Sequence, residues 1–301
     1  MKNVQPLFDR DIDRSDTKSF ALVTGASSGI GLAIAEELAG MNKNLVLVAL
    51  PGTGLERIGR LLAEQFDIEV YTYTIDLTDP VAPYRILEAC NKSEISINIL
   101  VNNAGFGNLE LFETSNLPEL QQMLALNNGA LISLTYLFIP LLKKSSPSYI
   151  LNLGSLASFF KIPYKAVYSA TKSFVYSFSA ALRLELRRAN ISVSCLCPGS
   201  TLTSPRVRDI LMRTSGKNPL FVQQPSAVAK TAIRKLFQKQ FRIVPGVHNQ
   251  VLLGMAALLP EFVTDKILLR VFKPTTNTSS PQLLQPGKAL AGWSPLVMAN
   301  R

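Results

Sequence analysis

The chain has 301 residues, 47% apolar and 17% charged, enough for a large core and without the composition of a disordered protein. Its three cysteines, Cys90, Cys195 and Cys197, are too few and too unevenly spaced for a disulfide framework or a zinc knuckle, so no metal is expected and a reducing, cytoplasmic setting fits. Of the net charge of +10, most sits in residues 204–273, where twelve Lys/Arg face three acidic residues; such a face suits phosphates, acyl carriers or anionic lipid, or is simply solvated, and no nucleic-acid motif accompanies it.

Residues 1–18 read as a polar extension without the apolar core of a signal peptide, and no membrane-spanning stretch is expected along the chain. From residue 19, apolar strand-like runs alternate with helix-length amphipathic stretches, the pattern of a parallel sheet covered on both faces. Seven strands are expected, at 19–23, 44–50, 68–75, 97–101, 149–153, 191–197 and 241–244. Long buried helices are expected near 117–144, ended or bent at Pro140, and near 165–190. Shorter helices are read at 203–214 and 226–238, the second opened by a Pro-Ser cap, with a substrate lid near 203–224. Residues 19–247 thus form one domain. Residues 248–273 follow as two short amphipathic segments broken at Pro260, and 274–301 form a turn-rich, disordered tail.

The first strand runs into Thr24-Gly25-Ala26-Ser27-Ser28-Gly29-Ile30-Gly31 and then a helical stretch. A glycine-rich turn opening a helix suits a pyrophosphate: Gly25 turns, Gly29 lets an anion approach, Gly31 lets helix pack on strand, and the helix start offers free N–H groups. Tyr168 and Lys172, four apart in a helical segment, share one face. An ammonium there, together with a positive nicotinamide, would favour the phenolate and lower its pKa, which general acid–base chemistry at neutral pH needs. Ser155 follows the apolar strand YILNL at its C-terminal end, the edge where open α/β sheets bind ligands.

The glycine turn is followed in order by Asp76, by Asn102-Asn103-Ala104-Gly105, by Asn127, by Ser155 and by Tyr168-Ser169-Ala170-Thr171-Lys172. Over about residues 19–245 this resembles the short-chain dehydrogenase/reductase family. The resemblance implies a Rossmann-type, three-layer α/β/α fold and hydride transfer between a nicotinamide and a carbonyl or alcohol carbon. It further implies that Ser155 binds the substrate oxygen, Tyr168 is the general acid/base, Lys172 holds the nicotinamide ribose, and Asn127 anchors a water on the proton path. Asp76 would meet the adenine, Asn103, Ala104 and Gly105 would support the adenosine side, and Pro198, Gly199, Thr201 and Thr203 would cover the nicotinamide.

One departure bears on the cofactor. Members using NAD place an acid at the end of the second strand, where this chain has Leu50-Pro51-Gly52-Thr53. NADP is therefore preferred and NAD stays open, because the arginine typical of NADP users is absent too; Thr53, Arg57, Ser27 and Ser28 are the candidates for a 2′-phosphate contact. Val207, Ile210, Leu211, Leu220, Phe221 and Val222 suggest a lipophilic small-molecule substrate. A homo-oligomer through the long helices and peripheral membrane contact through 250–273 are further expectations. A nicotinamide-binding sensor without turnover, and a dehydratase or epimerase on the same scaffold, are the alternatives.

Overall fold

A computed structural model describes residues 19–203 and 222–272. The N-terminal extension, most of the expected lid with its helix at 203–214, and the tail fall outside the described residues. Seven parallel strands form one sheet: β1 (Ser19–Thr24), β2 (Asn44–Ala49), β3 (Val70–Thr74), β4 (Ser96–Asn102), β5 (Ser148–Leu153), β6 (Ile191–Leu196) and β7 (Arg242–Ile243), in the order β3-β2-β1-β4-β5-β6-β7. The chain builds outward from β1 to β3, then returns to the other side of β1. The turns leaving β1 and β4 therefore diverge and open a crevice at the C-terminal edge of the sheet.

The central strands carry near-continuous apolar runs because both faces are covered. One face packs on α1 (Gly29–Ala39), α2 (Leu55–Phe66) and α7 (Pro225–Phe237); the other packs on α3 (Ala82–Lys92), α5 (Leu131–Lys144) and α6 (Ala166–Glu185). Phe138, Leu22, Leu47 and Ile99 are among the fully buried anchors, each worth about 1.5–3 kcal/mol of transfer free energy. Across β4, β5 and α6 runs a buried polar chain: Asn102 Nδ2 donates to Asn152 Oδ1 at 2.9 Å, and Asn152 Nδ2 donates to Ser179 Oγ at 2.9 Å.

Several sequence expectations shift. β3 begins at Val70, because Asp67 caps α2 in a left-handed conformation before the chain extends, and only two residues of β7 pair with β6. The helical stretch at 117–144 is α4 (Leu117–Leu124), a wide π-type turn at Ala125–Ala130, and α5. Pro140 does not end it: Pro140 and Tyr136 are exposed, so the carbonyl that loses its i+4 donor faces solvent. This stretch is also long and apolar enough to cross a bilayer by length and composition, contrary to the reading that none would be; here it packs its buried face on the sheet.

The regular part of the next helix stops at Glu185, and 186–189 tighten to a 3-10 turn. α7 starts with Pro225 as its first residue and Gln224 as its cap. The two C-terminal segments are α8 (Val247–Leu258) and α9 (Glu261–Val271), separated at Pro260 as expected. They lie against the β7 side of the sheet and leave Val251, Met255, Leu258, Phe262, Ile267 and Leu269 exposed.

Candidate active site

The glycine turn between β1 and α1 holds its shape through backbone geometry that side chains would spoil. Gly25 and Gly29 have φ of +65° and +58°, and a Cβ on Gly31 would lie 2.2 Å from the Gly25 carbonyl oxygen. Ser28 precedes α1 in an extended conformation without capping the helix by its side chain, and the first turn holds no acid. The start of α1 thus keeps its N–H groups and positive dipole end for an anion. A Cβ on Gly29 would meet Thr203 Cβ at 2.9 Å, which sets the loop after β6 directly over the glycine turn. A dinucleotide pyrophosphate fits this cradle: small residues below, helix N–H groups at one end, and a threonine above.

The neighbouring candidates brace the cradle. Asn103 Nδ2 donates to the Thr24 carbonyl at 2.8 Å, and the Asn103 and Ala104 N–H groups both donate to Thr24 Oγ1 at 3.0 Å, locking the turn after β4 onto the end of β1. Gly105 lies beside Asn127 Oδ1 and Lys172 Nζ, too close for a Cβ. Asp76, half-buried past β3, accepts from the Thr78 N–H and hydroxyl at 2.9 and 2.8 Å through one carboxylate oxygen. The Thr53 hydroxyl is committed to the Leu50 carbonyl at 2.7 Å; Ser28 and Arg57 are exposed and Ser27 is half-buried.

The loop past β6 is tied at both ends. The Leu156 N–H donates to the Pro198 carbonyl at 3.0 Å, Thr201 Oγ1 donates to the Gly199 carbonyl at 3.0 Å, and Thr201 bridges to Gln223. Asn249 of α8 closes the arrangement by donating to Gln223 Oε1 at 3.1 Å and the Pro245 carbonyl at 2.8 Å, with its amide against Gly199. The sequence offered no signal for Asn249.

At the end of β5, Ser155 starts a short 3-10 turn. Its Oγ accepts from the Ala157 N–H at 3.1 Å, while Ser158 Oγ donates to the Lys172 carbonyl at 2.8 Å and accepts from the Ser155 N–H at 3.3 Å. Ser158 thus fastens the turn to α6. The accepted bond leaves the Ser155 proton available, and the Ser155 hydroxyl acts on the Tyr168 phenol in the direction that favours its anion. Gly107, in the loop after β4, packs on the Tyr168 ring so closely that a Cβ would lie 2.5 Å from Cδ2.

Lys172 is buried, with 4% of its surface exposed, and donates from Nζ to the Leu153 carbonyl at 2.8 Å. Burial lowers its pKa to about 8, partly offset by the Cys195 and Cys197 sulfurs. The amine stands 5.9 Å from the Tyr168 ring centroid. Without the positive nicotinamide beside it, the phenol pKa lies above the ordinary tyrosine value, because burial outweighs the influence of the Ser155 hydroxyl. The phenol is neutral at physiological pH, so in this state it is a proton donor.

Asn127 lies in the π-type turn. Its Nδ2 donates to the Phe106 carbonyl at 2.9 Å and Thr171 Oγ1 at 3.1 Å, and its Oδ1 accepts the Phe106 N–H at 3.0 Å. Asn128 beside it donates to the Thr171 carbonyl at 3.1 Å. The widened turn lets consecutive asparagines both reach α6, which a regular helix would point about 100° apart.

A second amine was missed by sequence reasoning. Lys165 caps α6 three residues before Tyr168, and its Nζ stands 5.7 Å from the same ring centroid. The signal was present in the i−3 spacing of KAVYSATK. A cavity of about 720 Å³ lies elsewhere, between β7, α8 and α9 with Phe159 and Phe160 in its wall, and Ser155, Tyr168 and Lys172 do not line it.

A sequence profile described as short chain dehydrogenase matches residues 19–210. A very-long-chain 3-oxoacyl-CoA reductase from Macaca fascicularis is 30% identical over 262 residues, which cover 85% of this chain and 80% of that protein. The bulky-bulky ketone specific alcohol dehydrogenase from Comamonas testosteroni superposes with a TM-score of 0.68 at 27% identity, over 81% of this chain and 96% of that one. A short-chain dehydrogenase from Sphingobium yanoikuyae, solved in complex with NADPH, superposes with a TM-score of 0.67 at 27% identity, over 81% and 97%. This chain belongs to the short-chain dehydrogenase family and is an NAD(P)-dependent oxidoreductase that moves a hydride between a nicotinamide and a carbonyl or alcohol carbon.

Proposed function

We propose that this oxidoreductase works as an NADPH-dependent carbonyl reductase on a lipophilic ketone or 3-oxoacyl substrate. The observation that carries the reading is the gathering of the neutral Tyr168 phenol, the Ser155 hydroxyl and the Lys172 amine at the C-terminal edge of β5. When bound, the cofactor supplies the hydride to the carbonyl carbon. The chain's own residues handle the oxygen. Ser155 donates a hydrogen bond to it and stabilises the charge that grows there, an effect worth about 3 kcal/mol in a water-poor site. Tyr168 passes its proton to the nascent alkoxide, and Lys172 holds a proton next to the phenolate left behind.

The cradle of Gly25, Gly29, Gly31 and Thr203 would hold the pyrophosphate, with Pro198, Gly199 and Thr201 over the nicotinamide, Lys172 on its ribose, and Asp76, Asn103, Ala104 and Gly105 on the adenosine side. Asn127, in contact with the Phe106 backbone and beside Lys172, would anchor the proton path. The absence of an acid after β2 and the NADPH of the Sphingobium relative support NADP over NAD. The two other relatives act, by their names, on 3-oxoacyl-CoA and on bulky ketones, which supports a lipophilic carbonyl. Aldehydes, ketones, 3-oxoacyl thioesters and sterols offered with NADPH and NADH should give absorbance loss with NADPH and a lipophilic carbonyl; cofactor binding without turnover on any of them would favour a sensor.

We further propose a cytoplasmic protein that self-associates and touches anionic membrane through α8 and α9. Support comes from the exposed Met255, Leu258, Phe262 and Leu269 together with Lys266 and Arg270. Co-sedimentation with phosphatidylserine-containing vesicles should fall on replacing Leu258 and Phe262 by serine, and equal binding would reject the contact.

A further inference from the structure

Lys165 occupies an unusual place for a lysine. It caps the N-terminus of α6 without a side-chain hydrogen bond to the helix, and its charge stands at the positive end of the helix dipole. It is half-buried, and desolvation lowers its pKa. Among the described residues no carboxylate lies within ion-pair distance of it, and its amine has no hydrogen-bond acceptor. The contact it does make among the described residues is with the Tyr168 ring, so the ammonium lies partly out of water with an aromatic face and no anion beside it.

Lys165, Tyr168 and Lys172 follow one another at i−3, i and i+4 on a single face of α6, and the two amines stand 5.7 and 5.9 Å from the Tyr168 ring centroid. Lys172 Nζ is committed to the Leu153 carbonyl, whereas Lys165 Nζ makes no hydrogen bond among the described residues. The Tyr164 carbonyl accepts the Glu110 N–H at 2.8 Å, which fixes the backbone just before Lys165 against the loop that carries Gly107. The amine is therefore held beside the Tyr168 ring, close to the loop that carries Gly107.

We propose that Lys165 donates a hydrogen bond to a second substrate oxygen two bonds from the reacting carbonyl, making the site selective for 3-oxoacyl groups over simple ketones. This rests on the carbonyl-reductase reading above and adds a residue to it. As the hydride reaches the 3-oxo carbon and Tyr168 protonates its oxygen, the thioester carbonyl stays intact. Lys165 is not consumed; it orients the dicarbonyl by holding the thioester oxygen while negative charge grows on the 3-oxo oxygen alone. A charged donor lost from such a contact leaves the substrate oxygen desolvated and unpaired.

The test compares two substrates with NADPH: the N-acetylcysteamine thioester of 3-oxooctanoate, and 2-octanone, which lacks the second oxygen. The wild type should prefer the thioester. K165M should lower kcat/KM for the thioester by about 10- to 100-fold, collapse the preference between the two substrates, and be largely rescued by K165R. Equal proportional losses on both substrates, or no loss on either, would overturn the assignment and leave the reductase intact. A wild type that turns over neither substrate, nor any carbonyl of the wider panel, would overturn both readings.

Discussion

Lys172→Met should disable the site and at the same time change the pH dependence of folding in a defined way. In the folded chain the amine is desolvated and its pKa falls from 10.5 to about 8. The folded state then binds fewer protons than the unfolded state between those two values, so the Lys172 contribution to stability rises with pH across that window. Below about pH 8 both states carry the charge, and burial costs the fold about 3 kcal/mol at about 1.4 kcal/mol per pKa unit. By about pH 9.5 the folded amine is neutral and the cost has shrunk by about 2 kcal/mol. With 4% of the residue exposed, solvent screening does little to reduce these figures.

Methionine removes the cost and adds another, since the Leu153 carbonyl loses its donor at about 1–3 kcal/mol. That second term is independent of pH. Urea unfolding of wild type and variant at about pH 7 and 9.5 should therefore give a difference, variant minus wild type, that falls by about 2 kcal/mol on going to the higher pH. Measurements stay below the range where the raised Tyr168 phenol titrates. A difference that is the same at both pH values would refute the buried, depressed amine.

Gly29→Ala should weaken NADPH binding by about tenfold or more, because a left-handed residue is strained and its Cβ would push Thr203 off the cradle. Gly52→Ala, with φ of +77° and nothing within 4 Å, carries the strain without the collision; equal Kd changes in the two would reject the Thr203 contact. Asn152→Ala should cost about 2–4 kcal/mol by leaving Asn102 and Ser179 short of a partner and opening a void, read by urea denaturation. A loss below about 0.5 kcal/mol would show that the polar chain contributes little.

Local patterns were legible in the sequence. The glycine turn could be read because strand, turn and helix follow one another directly, and the Tyr168–Lys172 pair because four residues in a helix make neighbours on one face. The break at Pro260 was equally plain. What depends on distant chain was not legible. The sign of the Tyr168 shift is set by burial, which outweighs the neighbouring Ser155 hydroxyl. The π-type turn that sends both Asn127 and Asn128 to α6 has no local signature, and Pro140 stays helical because its turn faces solvent. Lys165 was in plain view at i−3, yet its meaning came only from its place beside the Tyr168 ring with no counter-charge among the described residues. Asp76 and Asn103 occupy the expected edge, and their visible bonds are those of turn and brace.

The central claim is that the Tyr168 phenol delivers the proton in carbonyl reduction. The direct measurement is single-turnover oxidation of bound NADPH by a reducible ketone in wild type and Y168F, with NADPH affinity determined in the same preparations. Y168F should keep its affinity for NADPH and lose turnover by about 10²- to 10⁴-fold. Reduction at an undiminished rate by the phenylalanine variant would contradict the account.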